Sequence, residues 1–289
     1  MRVLNYIVFV LLFATGLAGG QSLDKMVETV RGEYDGIFKA GKVPAELNIL
    51  HIQLSDPEPM VRIRGVQGLS LSGGPTAALL MARAMDDSLE SSTAVRIEAA
   101  RGLGEVGGQQ ALKVLGLGLK DPDPTVRMRV IESLRWAGTV FAVPYINIAL
   151  NGDISFRPDG TREVLYPPDP VLGVRMQAVR MLRKIGTQFS VEPLANALTG
   201  PWKDRDPAIR KAAADVLGEI GKKERDAARY LGAAYADESD LGVKLEIIGS
   251  LGLIRDRAGL PYLQQAMQDR NLTLRMRATQ VYGRVLGLQ

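Results

Sequence analysis

Apolar and polar residues alternate along this chain in a pattern that recurs seven times. Each copy starts with an aliphatic residue directly before a cation, called here the anchor; the anchors are Arg62, Arg96, Arg127, Arg175, Arg210, Lys244 and Arg275. Counted from the anchor, apolar side chains return at −1, +7 and +10, on one face of an α-helix. Glycine at +11 in five copies predicts where that helix ends, because glycine tolerates a left-handed backbone.

A second, shorter helix fits between each glycine stop and the next helix start. The starts at Asp123-Pro124, Asp169-Pro170 and Asp206-Pro207 place a capping acid before a proline in the first turn. The intervals between anchors are 34, 31, 48, 35, 34 and 31 residues. Two helices in so short a repeat cannot form a separate core, so the repeats must stack. The sequence predicts an all-α fold, an α-solenoid of about seven helix pairs over residues 45–289.

The long interval of 48 residues indicates an insertion at 151–170. Two short apolar runs, 154–156 and 164–166, flank a Pro-Asp-Gly turn, which predicts a small β-hairpin. Phe156 and Tyr166 lie on the two runs, and Trp202 occupies the equivalent loop of the next repeat. We expect Trp202 beside the hairpin, where these three aromatic residues would form an exposed binding patch. The alternative is a hairpin folded back onto the solenoid with its aromatic residues buried.

The chain opens with an apolar run that differs from the repeats. Residues 1–20 combine a single cation, an apolar stretch too short for the roughly 20 residues of a membrane-spanning helix, and small residues after it. They predict a signal peptide cleaved after Ala18 or Gly20, or else left uncleaved as an anchor, and an exported, periplasmic protein. Residues 21–44 predict an amphipathic helix that caps the open end of the solenoid.

Composition excludes several kinds of chemistry. The 289 residues include no cysteine and one histidine, His51, which excludes disulfides, thiolate metal sites and multi-histidine metal sites. Lysine and arginine number 36 against 32 acids, a net charge of only +4, which gives no basis for nucleic-acid binding. Phosphate-binding and nucleophile motifs are missing from the sequence. Capping explains the acidic turns better than calcium does, and we expect a structural role for His51.

The repeated phrase resembles the HEAT repeat, in the short bacterial class named after phycobilisome lyases. The best matches are DPDPTVRMRVIESL at 121–134, DPAIRKAAADVLGEIG at 206–221 and TAVRIEAARGLGEVG at 93–107. The resemblance covers about residues 45–289. It implies that the anchor-bearing helices line a concave surface and that each anchor pairs with an acid of a neighbouring turn. Acids lie six residues before four anchors (Asp56, Asp121, Asp169, Asp269) and four before two others (Asp206, Asp240).

Position +1 carries an apolar residue in six of the seven copies and points away from the helix's own core. With the neighbouring positions it gives the candidate partner-binding residues of the concave face: Ile63, Ile97, Met128, Met176, Leu245, Met276, Trp136 and Arg180. One interpretation is a methionine-rich groove for a polypeptide or an apolar ligand. The other is packing between adjacent helices of the stack.

We therefore expect an exported scaffold that binds a protein partner through its concave face, its hairpin or both. No catalysis, metal or cofactor is expected, and the oligomeric state stays open. The alternative is a bilin-lyase-like enzyme or a tetrapyrrole-binding accessory protein, which export argues against. Deoxyhypusine hydroxylase, another HEAT-like enzyme, uses several histidine ligands, which a chain with one histidine does not supply.

Overall fold

The computed structural model describes residues 22–156, 162–224 and 226–287, and the side chains of 154–156 and 162 are left out of the description. Within this part of the chain the fold is an all-α solenoid with one two-stranded sheet. Contacts divide the chain into two compact units, residues 1–178 and 179–289, each described by itself.

In its described residues, the N-terminal unit contains nine complete helices and the two strands. The helices are α1 (Leu23–Lys39), α2 (Ala45–Gln53), α3 (Pro59–Ser72), α4 (Gly74–Leu80), α5 (Ala82–Met85), α6 (Thr93–Val106), α7 (Gly108–Leu117), α8 (Pro124–Gly138) and α9 (Val143–Asn151). Strands β1 (Asp153–Phe156) and β2 (Arg162–Tyr166) follow. Helix α10 (Leu172–Ile185) contains the division between the units.

Six further complete helices lie in the described residues of the C-terminal unit. They are α11 (Val191–Leu198), α12 (Pro207–Ile220), α13 (Asp226–Asp237), α14 (Leu241–Ile254), α15 (Leu260–Ala266) and α16 (Leu272–Leu286). Short 3₁₀ turns precede three of them at Gln188–Ser190, Gly200–Trp202 and Arg257–Gly259. No helix in the described residues of either unit is long and apolar enough to cross a membrane.

In each unit the helices form two layers. The anchor layer consists of the anchor-bearing helices, in which α3 packs on α6 and α6 on α8, and separately α12 packs on α14 and α14 on α16. The back layer contains the shorter helix of each pair. The +7 leucines and all the aliphatic −1 residues except the half-buried Val61 are buried between the layers, as Val95 and Leu103 illustrate. Burial of these apolar faces is the main stabilising contribution to a stack of this kind.

The helix ends follow the predicted signals in most repeats. Asp123 and Asp206 cap α8 and α12 by accepting backbone N–H groups two residues ahead. Gly73 and Gly107 end α3 and α6 with φ of 69° and 67°. Gly221 differs, since its φ is −63°, and there the absence of a side chain instead makes room for Ile254.

The insertion forms the predicted antiparallel strand pair. Ile154 pairs with Val164 and Phe156 with Arg162, and the register shifts next to Asp153. Gly152, at the base of β1, has φ of 83°, and a Cβ there would lie 2.4 Å from the carbonyl oxygen of Tyr166. The residues of the turn, 157–161, lie outside the described part.

Helix α1 lies within the predicted residues 21–44, and its role as an end cap stays a prediction. It lies across the back layer of the N-terminal unit, against α4, α5 and α7. Its buried residues, Leu23, Met26, Val27, Val30 and Tyr34, form the apolar face seen in the sequence. Gly116 of α7 leaves the space that α1 occupies, because a Cβ on that residue would lie 2.0 Å from the Met26 Cε atom.

Polar contacts fix both ends of α1. At its start, the Leu23 N–H donates to Asp153 Oδ2 at 3.1 Å. Near its middle, Arg31 binds both carboxylate oxygens of Asp86 at 2.6 and 2.9 Å. At its end, the Tyr34 hydroxyl lies 3.1 Å from Nε2 of the buried His51. His51 is therefore a packing residue, and burial lowers its pKa.

Candidate functional site

The anchors form a ladder between repeats, but with a different set of acids from the one predicted. Asp or Glu stands six residues before every anchor, including Glu90, Asp204 and Glu238, which the sequence interpretation missed. In four arginine anchors, Nη1 donates to the carbonyl of the anchor's own −6 residue, while Nε and Nη2 bind the −6 carboxylate of the next repeat. Bidentate rungs of this kind are Arg62–Glu90, Arg96–Asp121, Arg127–Asp169 and Arg210–Glu238. Lys244 instead donates from Nζ to Asp269 at 3.2 Å.

Asp206 is the helix cap that the sequence predicted, and Asp240 is also a cap; neither is a ladder acid, which corrects their predicted pairing with anchors. Asp169 is a ladder acid and not a cap, because α10 starts only at Leu172. Burial raises the pKa of Glu238, but hydrogen bonds from Arg210 and from two backbone N–H groups outweigh it and lower that pKa to about 2. The ladder is a structural element, so its cations are not a binding stripe.

The apolar +1 residues lie where one anchor-layer helix meets the next. Ile63, Ile97, Met128, Met176 and Leu245 are half-buried, and only Met276, on the last helix, is 66% exposed. The Met128 sulfur lies 3.8 Å from the point that a Cβ of Gly173 would occupy on the following helix. This placement favours the packing interpretation, because the one exposed residue of the six lies on the last described helix.

The open surface of the anchor layer carries charges at +2, +5 and +9. In the N-terminal unit Arg101 binds Glu98 through two nitrogens, at 2.6 and 3.0 Å, and also binds Glu105. Arg129 donates to Glu132 at 2.7 Å. Hydrogen bonding from Arg101 is the main cause of the lowered pKa of Glu98. These paired charges are a solvated lattice and not a continuous apolar stripe.

One groove interrupts that lattice between α6 and α8. It has a volume of about 400 Å³, and its lining residues, which define the Trp136 groove, are Arg101, Gly104, Glu105, Arg129, Glu132, Ser133 and Trp136. The two helices approach closely at its floor, where a Cβ on Gly104 would lie 3.1 Å from that of Ser133. The close approach leaves the longer side chains to form the walls.

Trp136 is the large apolar residue of this groove. It is 65% exposed, and the guanidinium carbon of Arg135 lies 3.9 Å from the centroid of its ring, in a cation–π contact. The Nε atom of Arg135 is buried and has no hydrogen-bond acceptor among the described residues. An exposed indole beside an arginine that has no ion-pair partner among the described residues can hold an apolar side chain and a carboxylate together.

The sequence identified part of this groove. Trp136 was a predicted site residue, whereas Glu105 and Arg129 were missed because they belong to the charged positions rather than to the apolar +1 series. Arg180 is exposed on α10. The i, i+3, i+7 spacing of +2, +5 and +9 is the signal that would have identified the missed residues.

The predicted aromatic patch is only partly described. Tyr166 is half-buried, and its hydroxyl donates to the Leu119 carbonyl at 3.3 Å, so this residue folds back onto the back layer. The side chain of Phe156 lies outside the described residues. Trp202 is half-buried in the C-terminal unit, and its place beside the hairpin stays a prediction. In the described residues no cluster of acids and histidine could hold a metal ion.

Comparison with known proteins identifies the repeats. The family model for HEAT repeats matches residues 89–153 and 162–251, more than half of the chain. Human deoxyhypusine hydroxylase in complex with glycerol is similar in structure, with 20% identity, coverage of 92% of this chain and 96% of that chain, and a TM-score of 0.38. The complex of CpcE and CpcF of phycocyanin lyase from a Nostoc species shows 18% identity, coverage of 84% and 98%, and a TM-score of 0.40. A search of curated proteins gave no match.

These comparisons correct one expectation from the sequence. A chain of this kind was expected not to be an enzyme, yet two structures that resemble it are a hydroxylase and a lyase. The repeat fold therefore gives no ground for excluding catalysis. The comparisons show the fold of a HEAT-repeat scaffold and no specific activity.

Proposed function

Because the chain belongs to the HEAT-repeat family, we propose that it binds a protein partner, and that the Trp136 groove is the main contact. The exposed Trp136 under Arg135 is the observation that carries this proposal. Tryptophan and arginine are the residues most often found at the energetic centre of protein interfaces. Repeat scaffolds commonly present such surfaces on rigid helices, which limits the entropy lost on binding.

The charges of the groove define the kind of segment that fits. The groove acids Glu105 and Glu132 are already bound by arginines, whereas Arg135, which lies over Trp136, has no ion-pair partner among the described residues. The favoured ligand is therefore a polypeptide segment with an aromatic or large aliphatic side chain next to an acidic one. The apolar side chain would stack on Trp136, and the carboxylate would bind Arg135.

A displayed library of random peptides tests this proposal with the purified protein as bait. We expect enrichment of sequences that pair an acidic with an aromatic residue. Truncation at Trp136→Ala should weaken the selected peptides by about 30-fold, the effect of removing a typical hot-spot residue. Phe141→Ala is the matched control, because Phe141 is also an exposed aromatic residue, at 48%, but does not line the groove.

Two results would overturn the assignment. One is a library selection that enriches nothing; the other is peptide binding that Trp136→Ala leaves unchanged. A linear tetrapyrrole is a useful second probe. If its absorption spectrum changed with the wild-type protein and not with Trp136→Ala, the groove would be a pigment site and not a peptide site.

The expected export is a second part of this proposal. The described fold begins with Ser22, which caps α1, so cleavage after Ala18 or Gly20 would remove no residue of that helix. We propose that the mature chain acts in the periplasm. Amino-terminal sequencing of the protein recovered from a periplasmic extract tests this, and an intact Met1 in a cytosolic fraction would contradict it.

A further inference from the structure

At each end of the described ladder, one member of an ion pair is present without its partner. At the first repeat, Asp56 Oδ1 accepts the Glu58 N–H at 2.8 Å, as Asp121 Oδ1 accepts the Asp123 N–H at 2.9 Å. Asp121 also binds the anchor of the preceding repeat, Arg96. Within the described ranges no cation binds the Asp56 carboxylate. The Asp56 carboxylate is therefore oriented as in the interior ion pairs, but no arginine of the described residues binds it.

The last anchor shows the complementary arrangement. Arg275 NH1 donates to the carbonyls of Asp269 and Arg270 at 2.9 Å, the same intra-repeat contacts that Arg127 makes with Asp121 and Pro122. In four of the preceding repeats, Nε and Nη2 of the anchor also bind the next carboxylate. For Arg275 these two nitrogens have no acceptor in residues 22–156, 162–224 and 226–287.

Apolar side chains accompany both half-rungs. On the last helix, Met276 and Leu272 are 66% and 60% exposed, although the interior +1 residues are half-buried. On the first pair, Ile49 and Ile52 of α2 are 67% and 61% exposed. They lie on the side of α2 opposite its buried face. Terminal repeats of solenoids usually present polar outer faces, because uncovered apolar ends associate.

We propose that a second copy of this chain docks end to end, the last helix pair of one copy against the first pair of the next. Arg275 of one copy would then bind Asp56 of the other through Nε and NH2. The geometry is that of the interior rungs, and Met276 would be covered as its counterparts are. Opposite charges favour this contact, whereas two like ends would repel each other. Such a contact is heterologous, so it gives a closed ring or an open row of copies.

Sedimentation velocity over a concentration series of the purified protein tests the proposal. We expect a mass that rises beyond one copy with concentration. Arg275→Asp and Asp56→Arg should each weaken self-association by about tenfold or more, because each variant brings two like charges together. The charge-swapped double variant should restore assembly. Arg277→Asp is the control, since Arg277 is an exposed arginine on the same helix that contacts Gln280.

Helical circular dichroism and the unfolding midpoint of each variant show whether the fold is intact. A single copy at every concentration would overturn the proposal. So would assembly that persists in both single variants, or a folded double variant that fails to assemble. Trp136→Ala should still assemble and Arg275→Asp should still bind peptide, so this proposal and the proposed peptide site can fail separately.

Discussion

Leu23 and Asp153 are 130 positions apart in the chain, and one hydrogen bond of 3.1 Å joins the backbone N–H of Leu23 to the Asp153 carboxylate. Asp153 begins β1, and Leu23 begins α1. The carboxylate therefore binds an N–H group at the start of a helix, where the helix dipole also favours a negative charge. The base of the hairpin and the N-terminal helix form one connected element.

Asp153→Ala should release the start of α1. The loss of a buried capping carboxylate typically costs about 1–2 kcal/mol. Faster amide hydrogen exchange in α1, at unchanged exchange in α6, would show the release. Asp24→Ala is the control, because Asp24 also lies at the start of α1 but is exposed, and among the described residues it pairs with Lys120. Equal exchange in the two variants would contradict a specific role for Asp153.

Gly152→Ala should disrupt the base of the hairpin more than a positive φ alone explains. Gly152 and Gly108 have φ of 83° and 82°, but only at Gly152 would a Cβ meet backbone atoms. Gly108→Ala should cost about 1 kcal/mol, the usual penalty for alanine in a left-handed conformation. The free energy of unfolding of both variants checks this prediction. If it is no lower for Gly152→Ala than for Gly108→Ala, the backbone at the base of the hairpin shifts at little cost to accept the Cβ.

Arg96→Met should be among the most destabilising changes in the ladder. Arg96 and Asp121 have side chains exposed by only 5% and 1%, so the variant leaves a buried carboxylate without its cation. Removing one member of a buried ion pair costs about 3–5 kcal/mol. Lys39→Met, which breaks the exposed pair with Asp35, should change stability by less than about 0.5 kcal/mol. Urea denaturation of both variants checks the contrast.

Stability should fall in acid partly because of Glu238. Its pKa is lowered to about 2 in the folded protein, against an ordinary value of 4.5. A lowered pKa stabilises the fold above pH 4.5, and this contribution disappears as pH falls from 4.5 towards 2. The unfolding midpoint of Glu238→Gln should therefore vary less with pH in that window than that of the wild type. Asp237→Asn, at a carboxylate that Arg210 does not contact, should follow the wild-type curve.

The sequence was sufficient to predict the repeats because their signals are local. Val95 and Leu103 lie on one face of one helix, so their spacing indicates both the helix and its buried side. The caps at Asp123 and Asp206 and the stop at Gly107 are equally local. The strand pair was also predictable, because a turn signal lies between two apolar runs.

The remaining features depend on neighbours that periodicity does not reveal. A helical wheel places +1 away from the helix's own core, but it does not show that the next helix covers Met128. The position of α1 depends on Gly116, 90 residues away from Met26, which no local pattern connects to it. The ladder acids were confused with caps because both are Asp residues in one turn. Stacking between repeats likewise determines which face of each repeat is exposed to solvent.

The ladder also explains where this chain can accept foreign sequence. Arg127 reaches Asp169 across 42 positions, whereas Arg96 reaches Asp121 across 25, and the rung has the same geometry in both cases. The extra residues enter after α9 and before Asp169, upstream of the acid that restores the register. The stretch between a back-layer helix and the following ladder acid is therefore a position where loops can be inserted. A designer could change the inserted loop at this position without altering the ladder of arginine–carboxylate contacts.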